Sequence, residues 1–246
     1  MWPTYSRECQ QAVLRLLRRG GSLSAYRSHP DREPGPAAGS WAHRLERFAE
    51  QRFEVTHAIA TNSGTMAIQA MLVGSGLPKG CRILTSPYTF SATPAAIALM
   101  GMYPVFGDVD PHTYCLDPSV KGIPKWDAVM PVDIFGGLAS HAWVGGPILS
   151  DSCQAAGAFK GTRGALAAAY SFNGMKNVPA GEAGMLVTDD DDVAERARWF
   201  ISHGENWNRP EVGMNGRLNE ITACIAYFGL KRLEQNNEYR RDLAMI

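Results

Sequence analysis

The sequence predicts a three-layer α/β fold in which a mostly parallel sheet of about seven strands carries helices on both faces. From residue 56 onward, short apolar runs alternate with helical segments. Strands that alternate with crossover helices form parallel sheets, and the right-handed crossovers place helices on both faces. The 246 residues are also enough for one large α/β domain.

Each element follows from a local pattern. The predicted strands are THAIAT (56–61), CRILTS (81–86), YPVFGDV (103–109), WDAVMPV (126–132), GPILSD (146–151), GALAAAYSF (164–172) and GMLVTD (184–189). Helices are predicted over 8–18, after the N-cap Ser40, from 63–65 onward, over 91–101, over 191–203 and from Asn219 to Leu233, before a polar tail that is compatible with a helix. Prolines and glycines between Ser28 and Gly39 predict a loop. We therefore divide the chain into an N-terminal helix and loop (1–39) and a large domain (40–246).

Composition excludes several classes of protein. Hydrophobic residues make up 45% and charged residues 20%, which is typical of a soluble globular chain. Lys+Arg and Asp+Glu balance at 24 each, so no basic excess favours nucleic acid as a partner. Five scattered cysteines without C-x-x-C spacing argue against a disulfide framework or a metal site. With no membrane-length apolar run and no secretory signal, we expect a cytoplasmic protein without a membrane partner.

The first candidate site is TNSGTMAI (61–68), where a predicted strand gives way to a helix. Ser63 and Gly64 let backbone N–H groups approach a ligand closely, and Thr65 adds a hydroxyl group. The positive end of the helix dipole points outward there, which favours an anion. Ser-Gly-Thr is also ordinary N-cap and turn chemistry, so this motif alone does not establish a binding site.

Two further candidates follow strands at the same edge of the predicted sheet. Asp151 ends an apolar strand and Gln154 follows three residues later, although such an aspartate can simply cap a turn. Lys176 lies in a glycine-containing loop after another strand, where a lysine is usually a solvated charge. Together with the anion pocket, however, a strand-end carboxylate and a loop lysine are what pyridoxal 5′-phosphate (PLP) requires.

The motifs also occur in the order and approximate spacing of the DegT-type sugar aminotransferases, which the sequence resembles over residues 40–241. The matching segments are SGT (63–65), SPYTFSAT (86–93), PVFGDVDPHTYCLDP (104–118), PVDIFGG (131–137), DSCQAAGA (151–158), SFNGMKN (171–177), GEAG (181–184), His203-Gly204 and GMNGRLNEITACIA (213–226). The resemblance implies the large domain of a PLP enzyme with the aspartate-aminotransferase fold. Such enzymes act mainly on nucleotide-linked keto-sugars, with glutamate as the usual amino donor.

The resemblance implies a role for each candidate residue. Lys176 is the Schiff-base lysine, Asp151 is the partner of the pyridinium nitrogen, Gln154 contacts the ring hydroxyl, Phe90 stacks on the ring, and Gly64, Thr65 and Ser171 bind the phosphate. Asn215 is expected to reach the phosphate of a neighbouring subunit, so a homodimer is implied.

The sequence departs from the family pattern in three ways. Ser152 and Cys153 stand where alanines are common, Asp133 where histidine is frequent and Ala183 where a second glycine is usual. The loop over 28–39 is less compact than the family's opening segment. A small C-terminal domain, which usually follows the helix ending near Leu233, is expected to be absent.

The sequence is compatible with three functions. An aminotransferase acting on a keto-sugar nucleotide is preferred. A PLP-dependent decarboxylase, dehydratase or racemase would use the same lysine, because these reactions share the same electron-withdrawing cofactor. A non-catalytic binding or regulatory protein with this fold is the third alternative, against which the presence of Lys176 argues.

Overall fold

The computed structural model describes residues 5–24, 26–29, 32–119, 121–143, 145–204 and 212–245. Strands in these ranges are β1 (Tyr26–His29), β2 (Arg32–Pro36), β3 (His57–Thr61), β4 (Arg82–Thr85), β5 (Tyr103–Phe106), β6 (Ala128–Met130), β7 (Leu149–Asp151), β8 (Ala167–Ser171) and β9 (Gly184–Thr188). The α-helices are α1 (Arg7–Arg19), α2 (Trp41–Phe53), α3 (Gly64–Gly74), α4 (Ala92–Leu99), α5 (Asp191–Ile201), α6 (Glu220–Lys231) and α7 (Leu233–Ala244).

The central sheet has the strand order β3-β9-β8-β7-β6-β4-β5. Parallel bridges between Val129 and Ile148 and between Val132 and Asp151 join β6 to β7. Six strands run in one direction, and β9 runs antiparallel to its neighbours β3 and β8. Each of the seven predicted strand segments contains one of these strands, so the predicted mostly parallel sheet is confirmed.

Helices cover both faces of the sheet. In β8 the side chains of Ala167 and Ala169 join a core formed with α3, α4 and α5, while Ala168 and Tyr170 join the opposite core formed with α2 and α6. This alternation is the period of two of a strand that is buried on both faces. The small alanine side chains let both helical layers approach the strand closely. The predicted three layers are therefore present.

The predicted loop over 28–39 is wrong in part, because it contains most of a two-stranded ribbon. Tyr26 pairs with Pro36 and Arg27 with Gly35 in an antiparallel register between β1 and β2. Proline is tolerated here because a two-stranded ribbon has outer edges where no backbone N–H has to donate. The prolines in β2 interrupt the local pattern that would otherwise predict a strand.

The ends of α2 and α6 are tied together. As predicted, Ser40 caps α2 and accepts a hydrogen bond from His43 N at 3.1 Å. Glu220, in the first turn of α6, also accepts from Trp41 N at 2.9 Å and Ala42 N at 3.2 Å. A carboxylate is favourable at these positions because the first N–H groups of a helix have no intrahelical partner.

The remaining predicted helices are also present. Residues 8–18 lie within α1, and the polar tail after Leu233 continues as α7. All five cysteines are free thiols. In the described part of the chain, every helix is too short or too polar to span a membrane.

Candidate active site

The candidate residues converge at one edge of the sheet. Thr61, Asp151 and Ser171 end the strands β3, β7 and β8, whose carboxyl ends point the same way. The antiparallel β9 lies between β3 and β8 and presents its first residue, Gly184, at this edge, paired with both Thr61 and Ser171. The loops that follow these strands therefore begin at one edge of the sheet, where ligand sites of open α/β sheets are expected.

Gly64 brings the start of α3 against the end of β8. A Cβ atom built on Gly64 would lie 2.7 Å from Ser171 Cβ and 3.0 Å from Ser171 Oγ, so any larger residue would collide with Ser171. Ser63 caps α3 by accepting from Met66 N at 3.1 Å. The N–H groups of Gly64 and Thr65 have no intrahelical partner, because they open the helix. Ser63 thus serves as the cap, while Gly64, Thr65 and Ser171 form a cradle suited to an anion.

Gly184 also lies in the candidate site, although it was not among the predicted site residues. A Cβ atom at Gly184 would overlap the carbonyl oxygen of Ser63 and lie 2.6 Å from Gly64 N. Because Gly184 has no side chain, the start of β9 can pack directly against the backbone of Ser63 and Gly64. The glycine of the GEAG segment was the available signal, but its function depends on a distant part of the chain.

We expect Gly64→Ala to weaken both the fold and anion binding. Overpacking against Ser171 should cost about 1–3 kcal/mol of unfolding free energy, measured by urea denaturation. Affinity for PLP should fall at least about tenfold, which corresponds to about 1.4 kcal/mol. Gly174→Ala is the matched control, since a Cβ atom there meets nothing within 4 Å. The double variant Gly64→Ala/Ser171→Gly should regain stability; equal losses in Gly64→Ala and Gly174→Ala would contradict the close packing.

Asp151 is buried, with 4% of its surface exposed. Its Oδ1 accepts from Cys153 N at 3.2 Å, which is the local turn contact that the sequence also allowed. Its Oδ2 accepts from Thr93 Oγ1 at 2.6 Å, a contact 58 positions away in the chain. Burial raises the pKa of the Asp151 carboxyl, although the Thr93 and Cys153 hydrogen bonds oppose that rise. A buried carboxylate of this kind favours a cationic partner.

Thr93 connects Asp151 to the loop that carries Phe90. The Thr93 hydroxyl also accepts from Thr89 Oγ1 at 2.8 Å, assigned because its own proton goes to Asp151. Thr93 N donates to the carbonyl oxygen of Phe90 at 3.1 Å. Phe90 is 69% exposed in the same loop, so it is accessible to a ligand. Thr93 lies in the SPYTFSAT motif, but it was not among the predicted site residues.

Gln154 is fixed by a loop on the neighbouring strand. Its Oε1 accepts from Phe135 N at 2.9 Å, so its amide nitrogen remains the donor. Phe135 has a φ of 53°, a left-handed conformation that is uncommon outside glycine. The contact with this turn leaves the Gln154 amide nitrogen as a hydrogen-bond donor, three residues after Asp151.

Lys176 is half-buried in the loop after β8, where its N–H donates to Asn173 O at 2.9 Å. Burial raises the pKa of the Cys153 thiol, the Asp151 carboxylate raises it further, and the Lys176 ammonium opposes the rise. The charges of Lys176 and Asp151 thus act on the same thiol. Lys176 also lines a cavity of about 490 Å³ between α1, α6 and α7, which includes none of the other predicted site residues.

Asn215 lies beside the cradle of its own chain. Its carbonyl oxygen accepts from Asn62 Nδ2 at 3.0 Å, and its Oδ1 accepts from Arg217 Nε at 3.2 Å. Asn215 is exposed to solvent. Its contact with a neighbouring subunit stays a prediction.

The departures at Asp133 and Ser152 belong to one buried polar network. Asp133 accepts from Ser152 Oγ at 2.7 Å, from Ala139 N at 2.8 Å and from Arg163 Nη1 at 3.3 Å. Ser150 links this group to His141, with Ser150 Oγ and His141 Nε2 3.3 Å apart. An acid at position 133 and a hydroxyl at position 152 therefore suit each other, since each supplies what the other requires.

We expect Arg163→Met to destabilise the protein by about 2–4 kcal/mol, because Asp133 would remain buried without its cationic partner. Urea denaturation measures this difference. Lys160→Met, which breaks an exposed pair with Glu54, is the control and should cost under about 1 kcal/mol. Adding Asp133→Asn to Arg163→Met should restore much of the loss, since it removes the unpaired charge. Equal costs for Arg163→Met and Lys160→Met would argue against a stabilising role of the buried pair.

Residues 35–246 match the family model described as the DegT/DnrJ/EryC1/StrS aminotransferase family. The chain is 33% identical over 220 residues to the pleiotropic regulatory protein of Geobacillus stearothermophilus, covering 82% of this chain and 59% of that protein. It is 30% identical over 227 residues to UDP-2-acetamido-2-deoxy-3-oxo-D-glucuronate aminotransferase of Pseudomonas aeruginosa, and this match covers 85% of this chain and 62% of that enzyme. The crystal structure of DesI in the presence of its TDP-sugar product matches with a TM-score of 0.76 at 26% identity. This match covers 95% of this chain and 60% of the DesI chain. The chain thus spans about 60% of the length of these relatives.

Proposed function

Because this chain belongs to the DegT/DnrJ/EryC1/StrS aminotransferase family, we propose that it transfers an amino group from an amino acid to a keto-sugar nucleotide, with PLP as cofactor. Glutamate is the proposed donor. The observation that carries the proposal is the convergence of the Gly64–Ser171 cradle, the buried Asp151 and the Lys176 loop at one edge of the sheet.

The described residues fit the cofactor. The cradle of Gly64, Thr65 and Ser171 suits a phosphate group, because a helix N-terminus and two hydroxyls supply its donors. Buried Asp151 suits a protonated ring nitrogen, and Gln154 offers a donor for the ring hydroxyl. When bound, PLP supplies a carbonyl group that reacts with amines and a ring that withdraws electrons.

The chain's own residues have distinct tasks in this proposal. Lys176 would attach the cofactor and then, once its amine is released, move a proton at the reacting carbon of the substrate. Asp151 would keep the ring nitrogen charged, and Thr93 would hold the Asp151 carboxylate. Phe90 would cover one face of the ring.

We further propose a cytoplasmic homodimer in which Asn215 of one subunit approaches the phosphate cradle of the other. The exposure of Asn215 supports this arrangement. A two-fold interface is self-complementary, so it would complete both sites at once.

Transfer of labelled nitrogen tests the function. The protein loaded with PLP is incubated with ¹⁵N-glutamate and UDP-linked or TDP-linked keto-sugars, and mass spectrometry follows ¹⁵N-amino-sugar and 2-oxoglutarate in equal amounts. Glutamate alone should discharge the yellow colour of the loaded protein. Carbon dioxide, a substrate that has lost water, or an inverted amino acid as the product instead would identify the decarboxylase, dehydratase or racemase alternative. Bound PLP that no amino acid changes would support the non-catalytic alternative, to which the name of the Geobacillus relative corresponds.

A further inference from the structure

Side chains of α7 hydrogen-bond the backbone of the loop that contains Lys176. Arg240 Nη2 donates to Met175 O at 2.7 Å and to Lys176 O at 3.2 Å. Asn236 Nδ2 donates to Asn177 O at 3.0 Å. Positions 236 and 240 are one helical turn apart and therefore lie on the same face of α7. This face binds three consecutive carbonyl groups centred on the lysine.

A second set of amide contacts joins the lysine loop to the segment that begins at Asp151. Asn177 Nδ2 donates to Asn237 Oδ1 at 2.6 Å. Asn237 Nδ2 donates in turn to Ala156 O at 3.0 Å, and Asn177 Nδ2 lies 3.4 Å from the same oxygen. Asn237 is 8% exposed, so these bonds are shielded from water. Through α7, the backbone of the Lys176 loop is connected to the chain that carries Asp151.

The packing of α7 leaves little room for alternative positions. A Cβ atom built on Gly157 would lie 2.6 Å from Asn237 Nδ2 and 3.1 Å from Leu233 side-chain atoms. Close contact of this kind makes the position of α7 well defined relative to the 151–157 segment.

We propose that α7 is a positioning element for Lys176, in which Arg240 and Asn236 hold the loop backbone so that the lysine amine reaches the cofactor. The inference rests on the proposed role of Lys176. The physical reason is that a lysine side chain has four flexible bonds, and catalysis is sensitive to displacements of about 0.5–1 Å. Holding the backbone at positions 175–177 removes one source of such displacement.

Amide hydrogen exchange on the protein without cofactor tests the mechanical part. In Arg240→Met, we expect the amides of residues 174–178 to exchange at least about tenfold faster, whereas peptides from the central sheet keep their rates. The control is Arg241→Met on the same helix. Arg241 is exposed, as Arg240 is, but the hydrogen bonds to Met175 O and Lys176 O come from Arg240. Unchanged exchange at 174–178, or faster exchange throughout the protein, would overturn the proposal. Asn236→Ala provides a second variant with the same expected local effect.

Kinetics on the loaded enzyme test the catalytic part. We expect Arg240→Met to lower kcat about tenfold with KM for the amino donor nearly unchanged, and Arg240→Lys to restore part of the loss. A wild-type kcat together with faster local exchange would also overturn the proposal, because the contacts would then only attach the helix. Borohydride labelling of another lysine would overturn the proposed role of Lys176, whereas labelling of Lys176 together with a wild-type kcat in Arg240→Met would overturn only the positioning role of α7.

Discussion

Replacement of Lys176 by alanine should abolish turnover while leaving the fold intact. Removal of both the attachment point and the proton-transfer group should reduce kcat at least about a thousandfold, or about 4 kcal/mol in activation free energy. Lys176 lies half-buried in a loop and outside the two main cores. We therefore expect the unfolding free energy to change by less than about 0.5 kcal/mol.

Borohydride reduction and peptide mapping identify the attachment site directly. In the wild-type protein, the pyridoxyl mass should appear on the peptide containing Lys176. Lys125→Ala is the matched control, since Lys125 is an exposed lysine in another loop. Normal turnover in Lys176→Ala, or label on a different lysine, would show that the loop lysine is the solvated surface charge that its sequence setting also allowed.

The elements of the sheet could be predicted because their signals are local. Each strand is a short apolar run, and helix starts such as Ser40 and Asn219 carry their own capping side chains. The ribbon of β1 and β2 could not be predicted in this way, since prolines interrupt its pattern and its strands are recognised by pairing with each other. The two strands are close together in the chain, so the limit here is the interrupted local pattern and not sequence separation.

At the site, sequence separation sets the limit. The residues with intrinsic chemistry, such as Lys176 and Asp151, stood out at strand ends. Thr93 and Gly184 did not, because their roles arise from contacts with Asp151 and Ser63 that only the folded chain creates. Residues such as Thr93 and Gly184 can be assigned to the site only from their contacts in the folded chain.

The polar face of α7 is a further case. The tail after Leu233 reads as a helix with little apolar periodicity, which usually indicates a solvated element. In the structure, its asparagines and Arg240 instead bind backbone carbonyls of the lysine loop and of Ala156. Hydrophobic periodicity has no signal for a helix that is held by hydrogen bonds.

Asp151→Asn should preserve the shape of the site and remove its charge. Near-normal PLP affinity is expected, because the phosphate cradle is untouched. Turnover should fall by about 10²–10⁴-fold, since a neutral amide no longer stabilises the positive charge on the ring nitrogen. Asp151→Glu should lose less, because the charge survives although the geometry suffers.

In the protein without cofactor, Asp151→Asn should increase stability relative to the wild type, in contrast to its harmful effect on turnover. Burial raises the pKa of Asp151 above its ordinary value of 3.8, so the folded state resists ionisation. The wild-type protein therefore loses stability as pH rises from 3.8 through the raised pKa, whereas Asp151→Asn does not. Urea denaturation at a series of pH values measures the unfolding free energies of the two proteins. The unfolding free energy of Asp151→Asn should rise relative to that of the wild type between pH 3.8 and the raised pKa, and the difference should stay constant at higher pH. Wild-type turnover in Asp151→Asn, or a stability difference that shrinks as pH rises, would mean that Asp151 is a strand-end cap and that another acid faces the cofactor ring.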